Sequence, residues 1–282
     1  MQEMEEMNKA NLNIIIRNAT MEDVAGIAAI SADVGWNQPE AEIREIVRRS
    51  GKYLLGAYHD GVLVGLAASC PFPEGGFANV NEVIVPSAWR GQGIATRLLN
   101  QLLPMVSSDY PVLRLCATNM GRPIYEKLGF FTYATLCFGE LDKSEDAANE
   151  VDGIAPMSVM DLTEACELDA ANFGAHRTEI VRSLLEEAPS EAWTFRRNGK
   201  LDGFIVRSPM NWFLQSRDAE TFTALLTYAH SRNSKHPVLI RQEHVQLLHM
   251  PLKEHFRLTL MQYGHALPVP KATFSGFFPD LG

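Results

Sequence analysis

Two hydrophobic periods alternate along the chain. Dense apolar runs at residues 12–20 and 53–69 read as strands, and the second is split by Asp60-Gly61, a dipeptide suited to a two-residue turn with positive φ. Apolar positions three and four apart predict helices over residues 21–34 and 40–50. Beyond the hairpin the pattern gives a strand at 80–85, a helix from about Gly93 and a strand at 112–117. A short helix ending at Gly129 and a strand at 130–141 follow. Antiparallel strands first and helical crossovers later imply an α/β chain of the α+β kind, with a mixed sheet covered by helices.

The pattern then repeats. Asp23-Val24 and Ile30 fall opposite Asp161-Leu162 and Leu168 at an offset of 138, and "HDGVLVG" falls opposite "RNGKLDG" at the same offset. Further along, "YPVLRL" sets against "HPVLIR" and "EKLGFF" against "LKEHFR" at an offset of 126. Two constant offsets joined by one deletion predict a duplicated unit. Between the copies lies "GELDKSEDAANEVDG", acidic and without an apolar stripe, which reads as a linker or as a solvated helix. The expected division is a domain at 1–140, a linker at 141–152 and a second domain at 153–282.

Composition narrows the function classes. The net charge of −9 and the lack of a basic run disfavour nucleic acid and anionic membranes as partners. No apolar run approaches the roughly 20 residues needed to span a bilayer. The acidic, polar start is unlike a secretory signal. Cys70, Cys116, Cys137 and Cys166 are scattered and the histidines lack ligand spacing, so the expectation is reduced thiols, no metal and a cytoplasmic protein. Oligomeric state is not readable from the sequence.

Chemistry concentrates at "WRGQGIATRLL" (Trp89 to Leu99). A helix start leaves backbone N–H groups without partners and carries about half a positive charge. Bare backbone at Gly91 and Gly93 would let an anion reach those donors, and Arg90 adds a full charge; a pyrophosphate is the expected occupant. One glycine could also simply make a turn. A dinucleotide fingerprint would need glycine at Thr96, and a Walker loop would need a Gly-Lys-Ser/Thr ending, so neither applies.

The stretch resembles the acyl-CoA loop, R/Q-x-x-G-x-G/A, of the GCN5-related N-acetyltransferases (GNAT), with Arg90, Gly93 and Ala95 at the motif positions. A preceding strand ending "VIV" and "IYEKLGFF" (Ile124 to Phe131) match in order and spacing, so the resemblance covers about residues 12–140. It implies a tandem GNAT-like acyltransferase fold with acetyl-CoA as cosubstrate. It assigns the pantetheine arm to Val83 and Val85, and the pyrophosphate to Arg90, Gly91, Gln92, Gly93, Ile94 and Ala95, with Thr96 close by. Asn119 matches a CoA-contacting asparagine one residue off register. Tyr125 matches the family's general acid, the alternative being a tyrosine packed under the sheet. Glu82 could take the amine proton, bind the substrate cation or be a solvated strand residue.

At the offset of 126 the second half sets Ser216, Arg217, Ala219 and Pro251 against Arg90, Gly91, Gly93 and Tyr125, so the bare loop and the acid are gone. This pairing resembles a bacterial group of two-domain acetyltransferases in which "FGAHR"-like and "GRPIYEKLGF"-like segments recur. The implied task of the second domain is to wall the acceptor pocket. His176 and Arg177, with Trp36 and Phe72 from the first half, are candidate substrate contacts; surface or packing roles are the alternatives. The expected function is acetyl transfer from acetyl-CoA to a small-molecule amine. The rivals are an acyl-CoA-binding regulator without turnover and an acetyltransferase acting on protein lysines or N-termini.

Overall fold

The computed structural model describes residues 13–36, 38–142 and 151–265, with the backbone of Phe274–Ser275. Most of the acidic stretch at 141–152 lies outside the described residues. Packing divides the chain into two compact units, the first reaching Leu115 and including Tyr263–His265, the second Cys116–Gln262 together with Phe274–Ser275.

The first unit holds β1 (Ile14–Asn18), α1 (Val24–Asp33), α2 (Glu40–Ser50), β2 (Leu54–His59), β3 (Val62–Phe72), β4 (Phe77–Ile84) and α3 (Ile94–Asp109). β5 (Val112–Ala117) follows, and the unit boundary falls within it. The strands lie in chain order, antiparallel except for the parallel pair β4–β5. Ile27 and Ile30 of α1 and Ile43, Ile46 and Val47 of α2 bury against Leu54, Leu66, Ala68 and Ile84 of the sheet. That burial is the main stabilising term, at roughly 1.5–3 kcal/mol per large apolar side chain.

The second unit holds α4 (Arg122–Lys127) and β6 (Phe131–Leu141), then β7 (Ile154–Pro156), α5 (Leu162–Phe173), α6 (Thr178–Glu187), β8 (Ala192–Arg197) and β9 (Lys200–Arg207). β10 (Trp212–Ser216), α7 (Ala219–Arg232), β11 (Val238–Arg241), β12 (Leu252–Tyr263) and β13 (Phe274–Ser275) complete it. β7 to β10 pair in chain order, with β13 on the free side of β10. β11 and β12 flank β6, both antiparallel to it.

The duplication is visible in detail. Thr20 with Asp23, and Ser158 with Asp161, form the same capping box before the first helix of each copy. Both hairpins turn through left-handed residues, Asp60 and Gly61 in one and Asn198 and Gly199 in the other. Each hairpin carries a register shift, between Ala57 and Tyr58 and between Phe195 and Arg196, positions related by the offset of 138. Beneath each crossover helix sits a glycine: a Cβ on Gly65 would stand 2.8 Å from Ile94 Cγ2, and one on Gly203 2.6 Å from Thr221 Cγ2. The fold is thus a mixed α/β tandem. Its helices α3 and α7 begin at Ile94 and Ala219, a spacing of 219 − 94 = 125, one less than the offset read from the sequence.

Arg17 grips both oxygens of Asp23 at 2.8 and 3.0 Å. That bond, with the capping bond from Thr20, lowers the Asp23 pKa from near 4 to about 2. A carboxylate depressed in the folded state stabilises fully above its unfolded pKa, and the contribution fades as pH falls through the folded one. Asp23→Asn should cost about 1 kcal/mol at pH 6 and almost nothing at pH 2, since Arg17 is half exposed and screened. Urea unfolding at the two pH values measures the difference.

Candidate functional site

Two irregularities shape the end of β4. Its parallel pairing with β5 covers only Phe77–Asn79, so the two strands diverge from Val80 onward. On the other side Ala68 pairs with Asn81 and Leu66 with Ile84, so Glu82 and Val83 together face the single residue Ala67. Glu82 takes φ +53°, a left-handed conformation costing a glutamate on the order of 1 kcal/mol. Strain of this kind persists where surrounding structure holds it, and beyond Asn79 the β5 side of the strand is left without ladder pairing. Val83 and Val85 lie half-buried along that opening.

The chain then turns into α3. Gly91 and Gly93 both have φ +74°, and a Cβ on either would meet nothing within 4 Å. Backbone conformation therefore selects glycine here, and the space above both residues is open. Gly93 is the N-cap of α3, and no side chain caps that helix start. The first intrahelical bond runs from Arg97 N to Gly93 O at 2.9 Å, which leaves the amides of Ile94, Ala95 and Thr96 as the donors of the first turn. Ile94 is sunk into the core at 2% exposure and fixes the direction of these amides, whereas Thr96 is exposed. Arg90 ties the loop to β4 by donating from Nε to Val85 O at 3.0 Å. Gln92 folds back to donate to Ala88 O at 3.3 Å. An uncapped helix mouth, two left-handed glycines and an exposed arginine suit a diphosphate.

The matching place in the second copy is filled by the protein's own atoms. Asp218 caps α7, accepting from Thr221 N at 2.8 Å, and Arg197 in turn binds Asp218 at 2.9 and 3.2 Å. Gln215 O lies beneath Gly203 as Ile84 O lies beneath Gly65, so Gln215 is the counterpart of Ile84. There the backbone of Gln215 and Ser216 pairs with Ser275 and Phe274 of β13.

Tyr125 sits on α4 at 8% exposure, edge-to-face with Phe130 at 5.8 Å. Burial, then the neighbouring Cys116, raise its pKa above the ordinary value of 10, so the phenol stays protonated through the neutral range. Asn119 is exposed in the turn after β5. Glu82 is 3% exposed and accepts from Gln38 Nε2 at 3.2 Å, a partner the sequence alone does not reveal.

Two of the expected substrate contacts are buried side chains with partners inside the protein. Phe72 is 5% exposed and stacks on Phe77 at 5.2 Å, as a core side chain does. Arg177 is buried in a two-point ion pair with Asp169 at 2.6 and 3.0 Å, its guanidinium over the Phe173 ring at 3.9 Å. Gly174 ends α5 in the left-handed region and folds the chain back so that Arg177 meets Asp169. Trp36 and His176 are exposed. All four cysteines are free. Among the described residues no helix is long and apolar enough to cross a membrane.

A family profile described as an acetyltransferase (GNAT) domain matches residues 24–137. An uncharacterised N-acetyltransferase of Bacillus subtilis (strain 168), YitH, is 27% identical over 199 residues, 67% of each chain. A putative acetyltransferase from Pyrococcus horikoshii superposes with a TM-score of 0.76 at 17% identity, covering 96% of this chain and 97% of that one. A GCN5-related N-acetyltransferase from Sphaerobacter thermophilus gives 0.59 at 14% identity, covering 89% and 95%. At such identities the two structural matches speak for the fold, while the profile and the Bacillus relative speak for the chemistry. Residues 24–137 carry an acetyltransferase domain of the GNAT type, and the chain is an acyltransferase.

Proposed function

We propose that the protein moves an acetyl group from acetyl-CoA to the primary amine of a small molecule, by direct attack within a ternary complex. The observation that carries this reading is the open mouth of α3 beside its sealed counterpart at α7. The first-turn amides of Ile94, Ala95 and Thr96, with Arg90, Gly91, Gln92 and Gly93, would hold the diphosphate. The edge of β4 that β5 leaves at Val83, with Val85 just beyond the strand, would hold the pantetheine arm, with Asn119 as a further contact. When bound, the cosubstrate supplies an activated thioester carbonyl.

Transfer forms one C–N bond and breaks one C–S bond. An alkylammonium with pKa near 10 is only about one part in a thousand neutral at pH 7, so Glu82 takes its proton, directly or through water. A backbone N–H of Val83 or Val85 polarises the carbonyl. Tyr125 gives its proton to the departing sulfur, leaving free CoA and the N-acetylated amine. Residues 1–140 form the transferring domain, and 153–282, joined through 141–152, serve acceptor binding, with Trp36 and His176 as remaining candidate contacts. The setting is cytoplasmic, consistent with four free thiols.

Gly93→Asp tests the reading, because it sets a carboxylate at the mouth of α3 without crowding any neighbour, at a backbone cost of roughly 1–3 kcal/mol for the left-handed conformation. Calorimetry should show one CoA per wild-type chain and affinity lower by roughly 100-fold in the variant. Thiol release from acetyl-CoA should then require an added amine. Two CoA per chain, or undiminished binding by Gly93→Asp, overturns the assignment of the site. Binding without thiol release from any amine would identify a regulator instead.

A further inference from the structure

The bulge in β4 also builds a polar patch under α2. Cys70 pairs with Asn79 and Ala68 with Asn81 across β3–β4, so both asparagines share the face of Cys70. Asn81 Nδ2 lies 3.7 Å from Cys70 Sγ, and Ser50 Oγ, at the end of α2, lies 3.5 Å from the same sulfur. Glu82 joins this face through Gln38, which belongs to the connection between α1 and α2. Three amide oxygens here, Gln38 Oε1, Asn79 Oδ1 and Asn81 Oδ1, are shut away from solvent with no donor. A buried acceptor left in that state is destabilising, so the site favours a ligand rich in N–H groups.

A positive charge stands at the other end of the patch. The Arg49 guanidinium, on α2, lies 5.4 Å from the centre of the Phe72 ring, and among the described residues it pairs with no carboxylate. Burial pushes the Cys70 thiol up, while the charges of Arg49 and Glu82 act on it with opposite sign. The half-buried Gln38, Arg49, Asn79 and Asn81 leave this patch open to solvent at its rim.

We propose that this face of the first unit is the acceptor subsite and that its acceptor is an amino acid, with the amine at Glu82 and the three amide oxygens and the carboxylate at Arg49. The inference rests on the acetyl-transfer reading and adds a second charged group to the substrate. Glu82 takes a proton from the amine, and the planar guanidinium offers the carboxylate two parallel N–H donors. The acceptor oxygens match the ammonium end of a zwitterion and the guanidinium donors its carboxylate end, so an amine lacking the acid group would bind at one end only.

The test compares matched acceptors: tyrosine with tyramine, histidine with histamine, lysine with cadaverine. Release of free thiol from acetyl-CoA gives kcat/KM for each. The wild-type protein should prefer at least one amino acid over its decarboxylated partner by about 10-fold or more, the loss expected for one charge-assisted contact. In Arg49→Met that ratio should fall towards one, and Arg49→Lys should keep part of it. Because both acceptors are read in the same variant, partial unfolding cancels from the ratio. Equal or better use of every decarboxylated amine, or a ratio that survives Arg49→Met, overturns the inference while leaving acetyl transfer standing. No thiol release with any acceptor overturns acetyl transfer and this subsite together.

Discussion

Replacing Tyr125 by phenylalanine is expected to lower kcat by roughly 10²- to 10⁴-fold at neutral pH while leaving the KM for acetyl-CoA near its original value. The change removes one oxygen and keeps the ring, which packs edge-to-face on Phe130 and fills the space over Gly121, so the fold should survive. The size of the effect follows from the leaving group. A departing thiolate that cannot collect a proton keeps its full charge, and the phenol is the proposed donor. Burial holds the Tyr125 proton on well past neutrality, so the donor is in its active form across the physiological range. The wild-type rate should accordingly show no loss attributable to this group up to about pH 10, and the variant should lie below it throughout. A kcat unchanged by Tyr125→Phe would remove the residue from the chemistry and leave it as packing.

The sequence exposed what depends on local backbone chemistry. Asp60-Gly61 and Asn198-Gly199 both announce positive φ, and both adopt it. Gly91 and Gly93 mark a loop whose conformation glycine alone adopts without strain, and the helix begins directly after it. Features that oppose local preference were hidden. Glu82 is not a residue from which a left-handed bulge would be read, because its conformation is imposed by the pairings on either side of it. Strand neighbours were equally out of reach. β11 matches β5 in sequence, yet β5 lies parallel to β4 whereas β11 runs antiparallel to β6. Register between distant strands is set by packing of whole faces, which a run of four residues does not encode. At Phe72 the sequence left two roles open for a simpler reason: an aromatic at a strand end serves a pocket or a core equally well until its stacking partner, Phe77, is known.

Arg177→Ala should destabilise the second unit by about 3–5 kcal/mol, lowering the unfolding midpoint by on the order of 10 °C. Asp169 has no exposed side-chain surface and Arg177 only 4%, so truncating the arginine strands a buried carboxylate. The guanidinium also spans the rings of Phe173 and Phe213, at 3.9 and 5.3 Å, and its loss empties space between them. The pair itself need not be worth that much. Moving two charges out of water costs nearly what their attraction returns, so removing both should hurt less than removing one. Arg177→Met combined with Asp169→Leu is therefore expected to recover a large part of the lost stability, a coupling that a double-mutant cycle by thermal unfolding reads directly. A substrate contact would behave otherwise: Arg177→Ala would raise the acceptor KM and leave the midpoint where it was. That result would return "FGAHR" to the acceptor site, whereas a large fall in midpoint fixes it as the clamp closing the turn after α5.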